Sequence, residues 1–200
     1  MSYDSTEDTK KHIARVNELL CNAADNLITR GLVHDDSKLE SPEKEAFDKY
    51  TPMLKSLTYR SEEYKESLKA LGVALKHHYE NNSHHPEHYE YWECLECGKK
   101  YTRKDVPPIG YLSKEEYRWC HCQRVEYPRY FETALHHHKT PVHKMNLFDV
   151  IEMLMDWKAT GERHADGNIF RSLEINIKRF DISPQLAEIL KNNCEYLDWE

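Results

Sequence analysis

Apolar side chains recur at intervals of three and four near the start of the chain: Ile13, Val16, Leu20, Ala23 and Leu27. That period marks one stripe along an α-helix, and Gly31 suits the position just past its end, so a helix is expected over 5–30. Ser41-Pro42-Glu43 reads as a helix start, with Ser41 capping and Pro42 at the first helical position. Ala46, Phe47 and Tyr50 give that helix its apolar side, and Thr51-Pro52 reads as the start of another short segment. Beyond Ser61, Tyr64, Leu68, Leu71, Leu75 and His78 are spaced four, three, four and three. This strong helix carries His78 on the line of its buried stripe and turns His77 about 100° around the axis. Pro86 disfavours helix through His85, so His84 and His85 are expected at a bend. The helical period then lapses from Tyr91 to about Lys144. It returns at 146–158, where Leu147, Ile151 and Leu154 share a side, and again at 168–180 and from Ser183-Pro184. The expected fold is mainly α: a helical bundle built from 1–90 and 145–200, interrupted over 91–144 by a small irregular or β segment.

That interruption carries the cysteine chemistry. Cys94 and Cys97 form one close pair and Cys120 and Cys122 another, beside Gly98, Gly110 and Pro107-Pro108. Paired spacing of this kind favours a metal in a reducing compartment over disulfides. Four thiolates make a closed tetrahedral site, so a structural Zn2+ in a zinc-ribbon-like segment is expected, with His121 or a nearby histidine able to replace one sulfur. An insert with so little core of its own would be held together by that ion. Residues 94–143 hold nine Lys/Arg against six Asp/Glu, a local excess of +3 in a chain of net charge −7. The overall charge argues against a generally basic nucleic-acid binder, while the insert retains a local basic character suited to phosphate. The polar, acidic N-terminus is unlike a signal peptide, and no apolar run approaches the roughly 20 residues that span a bilayer. A cytoplasmic protein with no membrane partner is expected.

The remaining chemistry is concentrated in histidines and acids. Leu75–His88 holds five of the thirteen histidines. Neutral imidazole is a common transition-metal ligand. His34-Asp35 offers a nitrogen and a carboxylate from adjacent positions, with Asp36 and Lys38 close behind, although an acid here also suits a helix cap. Asp149, Glu152 and Asp156 stand at i, i+3 and i+7 on one helix side. Asn146 with Asp149 approximates a capping box, which explains Asp149 without any ligand. Lys158 and Arg163 are candidate cations for a phosphate.

The order His12, His34-Asp35, His77/His78, His84/His85 and a late Asp resembles the HD superfamily of helical metal-dependent phosphohydrolases. HDDSK, HHYENNSHHPEHY and DVIEMLMDWKA are closer still to a family of phage and bacterial proteins with no assigned function, over about 10–90 and 145–192. The resemblance implies a first metal on His12, His34, Asp35 and a late Asp, either Asp149 or Asp156, with Asp149 slightly favoured. His77 or His78, and His84 or His85, would then hold a second metal or contact phosphate. One or two divalent ions (Mn, Fe, Co or Zn) are implied, in the cytoplasm of a bacterium or an infected host cell. The implied activity is hydrolysis of a small phosphorylated, nucleotide-like substrate by metal-activated water, with Asp35, Asp36, Lys38, His84, Lys158 and Arg163 as the catalytic set. Two alternatives stand beside it. One is a non-enzymatic zinc module that binds nucleic acid or protein; the other is a His/Asp di-iron oxygenase.

Overall fold

The computed structural model describes residues 3–56, 63, 70–94, 98–102, 135–139, 141–163 and 167–199. They form two compact units, Met1–His34 and Asp35–Glu200.

The first unit is one long helix, α1 (Thr6–Leu32). Asp4 accepts hydrogen bonds from the Thr6 backbone N–H at 3.0 Å and its hydroxyl at 2.7 Å, which satisfies one open donor of the first turn. Glu7 and Asp8 near its start and Arg30 near its end match the sign of the helix dipole. No residue of α1 is buried. Of the apolar stripe, Ile13, Val16 and Leu20 are exposed, Ile13 at 61% and Leu20 at 63%, and Ala23 and Leu27 are half-buried. Periodicity identifies an amphipathic face; it does not say what covers it.

The second unit opens with a short 3-10 turn (Asp36–Leu39), then α2 (Glu43–Ser56) and α3 (Gly72–Asn81). Helix α2 differs from expectation at both ends. It starts on Glu43, with the Glu43 and Lys44 N–H groups on the Glu40 carbonyl, and it runs through Pro52 to Ser56. Proline thus sits inside the helix and no new segment begins there. Of the helix expected from Ser61, residues 61–62 and 64–69 lie outside the described residues; Leu71 is a turn, and α3 begins after it at Gly72.

A second 3-10 turn (Pro86–Tyr89) follows, with His85 extended just before it. This is the bend that Pro86 imposes. The sheet comes next: β1 (Tyr91–Cys94), β2 (Lys100–Thr102) and β3 (Leu135–Lys139), antiparallel in the order β2-β1-β3. Tyr91 pairs with Thr102 on one side and Lys139 on the other, and the β1/β3 register shifts at Glu93/Cys94. Cys97, Cys120 and Cys122 lie outside the described residues, and the expected four-cysteine zinc site with them.

A third 3-10 turn (Val142–Lys144) leads into α4 (Leu147–Gly161), α5 (Ile169–Arg179) and α6 (Pro184–Tyr196). These pack into one apolar core with Val150, Met153, Leu154, Ile169, Leu173, Phe180, Leu190 and Cys194 inside. Trp157 stacks on Phe180 with ring centroids 6.1 Å apart. Asn168 and Ser183 cap α5 and α6 by accepting from the Arg171 and Leu186 N–H groups. The described part of the protein is therefore mainly helical, with one small sheet. Among the described residues no helix is long and apolar enough to cross a membrane.

Candidate metal centre

Three segments of the second unit meet at the histidines: the 35–38 turn, the end of α3 with the bend after it, and one side of α4. Asp35 takes a left-handed backbone, φ 59°, which Asp tolerates at a cost of about 1 kcal/mol. The turn is held by the Lys38 N–H on the Asp35 carbonyl at 2.8 Å and by Lys38 Nζ on Asp35 Oδ2 at 2.5 Å. The other oxygen, Oδ1, lies 3.4 Å from His78 Nε2 and 3.6 Å from His84 Nε2.

Each of those two imidazoles is held from behind by a carboxylate. His78 Nδ1 lies 2.9 Å from Glu43 Oε2, and His84 Nδ1 lies 3.0 Å from Glu152 Oε1. Both rings are 2% exposed and Glu43 is fully buried. Burial lowers the His78 pKa to about 4, helped by the Lys38 charge and opposed by Asp35 and Glu43, so this ring is neutral at pH 7. A neutral ring has one N–H. The Asn82 amide already donates to Ser37 Oγ and to the His78 carbonyl, both at 2.8 Å, which leaves the His78 Nδ1 hydrogen for Glu43. The Nε2 lone pair of His78 then faces Asp35 Oδ1 and, at 2.8 Å, His85 Nε2.

These spacings suit a shared cation. Two donors about 2.1 Å from one transition-metal ion, at angles between a right angle and the tetrahedral angle, stand roughly 3.0–3.4 Å apart. Ligand atoms of Asp35, His78 and His85 lie within 4.8 Å of one another, and so do those of His84, His85 and Asp156. Second carboxylates on the rear nitrogens complete a pattern common to histidine metal sites, fixing tautomer and ring direction.

Helix α4 divides its line of acids by role. Asp149, fully buried, completes a capping box with Asn146, with 3.0 Å bonds in both directions. Its carboxylate also accepts from Ser83 Oγ at 2.6 Å and Tyr89 Oη at 2.7 Å. Asp149 thus ties the histidine bend to the start of α4 and is not among the ligand groupings. One turn later Glu152 orients His84. One more turn on, Asp156 joins His84 and His85. Of the two late acids, Asp156 is the one that the structure groups with histidines, while Asp149 is engaged by the capping box and two hydroxyls.

The other expected residues are distributed as follows. His77 is half-exposed, with Nδ1 2.7 Å from Glu43 Oε1, so His78 is the inward member of its pair. Asp36 is exposed. Lys158 stands about 200° around the helix from Asp156; its Nζ pairs with Glu162 at 3.3 Å and lies 5.7 Å from the Trp199 ring centroid. Arg163 is exposed just beyond α4. His12, exposed on α1, and His34, the last residue of the first unit, belong to the other body. Glu43, Asn82, Ser83 and Tyr89 were not singled out from the sequence. An acid opening a helix and polar residues in a turn look there like ordinary caps.

The DUF5662 family, described as a family of unknown function, matches residues 1–107 and 113–196, and the protein belongs to it. The match runs through most of the cysteine-bearing segment as well as the helices. No curated protein and no solved structure matches the chain.

Proposed function

We propose that the protein is a metal-dependent phosphohydrolase of HD-like type, acting on a phosphate ester or anhydride of a small nucleotide-like molecule. The observation that supports it most is the convergence on Asp35 Oδ1 of two buried imidazole Nε2 atoms whose Nδ1 atoms face carboxylates. Asp35, His78, His84, His85 and Asp156 form the donor set of one or two divalent ions. A divalent ion in such a site lowers the pKa of water toward neutrality and offsets charge on a phosphoryl oxygen. The chain's own groups do the positioning. Glu43 and Glu152 hold the imidazoles, Asp149 holds the bend that carries them, and Lys38 fixes Asp35 while placing a one-third-exposed ammonium beside the donors. That ammonium is the candidate contact for a substrate phosphate. The four-cysteine zinc remains a separate part of the proposal, with a structural role.

The test is hydrolysis of a panel of nucleoside phosphates by the full-length protein with added Mn2+, beside Asp35→Ala and His84→Ala. Turnover that a chelator abolishes and both variants lack supports the reading. Turnover unchanged in both variants, or none with any divalent ion, overturns it.

A further inference from the structure

One buried carboxylate serves two neighbouring histidines. Glu43 Oε1 lies 2.7 Å from His77 Nδ1 and Oε2 lies 2.9 Å from His78 Nδ1. Glu43 has no solvent exposure and sits in the first turn of α2. Both carboxylate oxygens are used in the same way, one for each ring. A carboxylate accepts at both oxygens and donates at neither, so each imidazole must carry its hydrogen on Nδ1.

We propose that Glu43 is a positioning residue that sets the tautomer of His78 and shares that task with His77. Its two oxygens pin both Nδ1–H groups, which turns the His78 Nε2 lone pair toward Asp35 Oδ1. His77 keeps the second oxygen occupied from the half-exposed side of α3. This deepens the metal-site reading and rests on it.

The pairing makes a specific substitution informative. In Glu43→Gln one oxygen becomes an NH2 group of nearly the same size. The amide can accept from one imidazole but must donate to the other, so one ring is forced to the opposite tautomer. Removing His77 releases that conflict. In Glu43→Gln/His77→Ala the amide oxygen is free to turn to His78, and the original tautomer returns. A role limited to packing predicts the reverse, because the double variant loses more contacts than the single one.

The experiment uses the full-length protein, with Mn2+ as the probe in a competitive titration against a chromogenic chelator. It is paired with long-range 1H–15N correlation NMR of the metal-free histidine rings. Partners behind a ligating histidine typically contribute 10–100-fold in metal affinity, so Glu43→Gln should weaken Mn2+ binding by about that factor. The double variant should recover most of the loss, and the His78 spectrum should return to the Nδ1–H pattern. Recovery in both readouts supports the proposal. Affinity and tautomer unchanged in Glu43→Gln overturn it, as does a double variant no better than the single one. If wild-type protein binds no Mn2+ while its His78 tautomer follows the predicted series, the metal reading fails and the positioning of His78 by Glu43 stands. The spectrum thus separates the two failures.

Discussion

Two acids on one helix, Asp149 and Asp156, should respond to the same substitution in opposite ways. Asp149→Ala removes the acceptor of the Ser83 and Tyr89 hydroxyls and of the Asn146 backbone N–H, at a position with no exposure. A donor left without its acceptor costs about 1–3 kcal/mol when buried; Ser83 and Tyr89 are half-buried and Asn146 is exposed, so water re-pairs part of the loss and the three together cost about 3 kcal/mol. For a chain of this size each kcal/mol moves Tm by about 2–4 °C, so a drop of about 6–12 °C is expected. Asp156 is half-buried, accepts at 3.3 Å from the Thr160 hydroxyl and follows Glu152 by one turn. Asp156→Ala relieves that like-charge pair and should change stability by no more than about 0.5 kcal/mol. Metal affinity should show the opposite order. Loss of a direct ligand in Asp156→Ala should exceed the roughly 100-fold upper range for outer partners, whereas folded Asp149→Ala should stay within about tenfold of wild type. Thermal unfolding by circular dichroism in chelator, with Mn2+ titration well below each Tm, measures both. A stable Asp149→Ala that binds no metal, beside an Asp156→Ala that binds normally, would refute the division of roles.

The metal-free protein should lose stability as pH falls from about 6.5 to about 4. His78 stays neutral down to about 4 when folded but takes its proton near 6.5 when unfolded, so over that window protons favour the unfolded chain. The full contribution is about 3 kcal/mol, present above pH 6.5 and lost by pH 4. Urea unfolding of wild type and His78→Gln across that range should show a shallower pH slope in the variant, and equal slopes would count against it. Arg179→Ala should lower Tm by about 4–8 °C, because Glu87, 9% exposed, loses the guanidinium that pairs with it at 2.5 Å. An unchanged Tm there would mean that Glu87 is held by other groups. Glu152→Gln should weaken Mn2+ binding by about 10-fold or more with little change in Tm, since His84 Nδ1 loses its charged acceptor; wild-type affinity would contradict that orienting role.

Much of this site was legible in the sequence because its residue types are chemically conspicuous. His34-Asp35, the two histidine pairs and the acids of α4 stand out by kind and spacing. Helix periodicity placed His78 on the inward line of α3, and Pro86 placed the bend. What the sequence could not separate were equal candidates. Asp149 and Asp156 lie on one helix side, and the hydroxyls of Ser83 and Tyr89, 66 and 60 residues before Asp149, distinguish them. Glu43 was invisible for the same reason: its role depends on a helix that begins 29 residues later. Pro52 shows a related limit, where a local breaker is tolerated inside α2. The stripe on α1 is the converse case, a clear amphipathic signal with none of its residues buried.

The most direct test of the central claim is the metal content of the full-length protein purified without added metal or chelator, for wild type beside Asp35→Ala. A divalent ion present in wild type and missing from the variant, on top of any zinc common to both, is the predicted result. The same metal content in both proteins would contradict a histidine–aspartate metal centre.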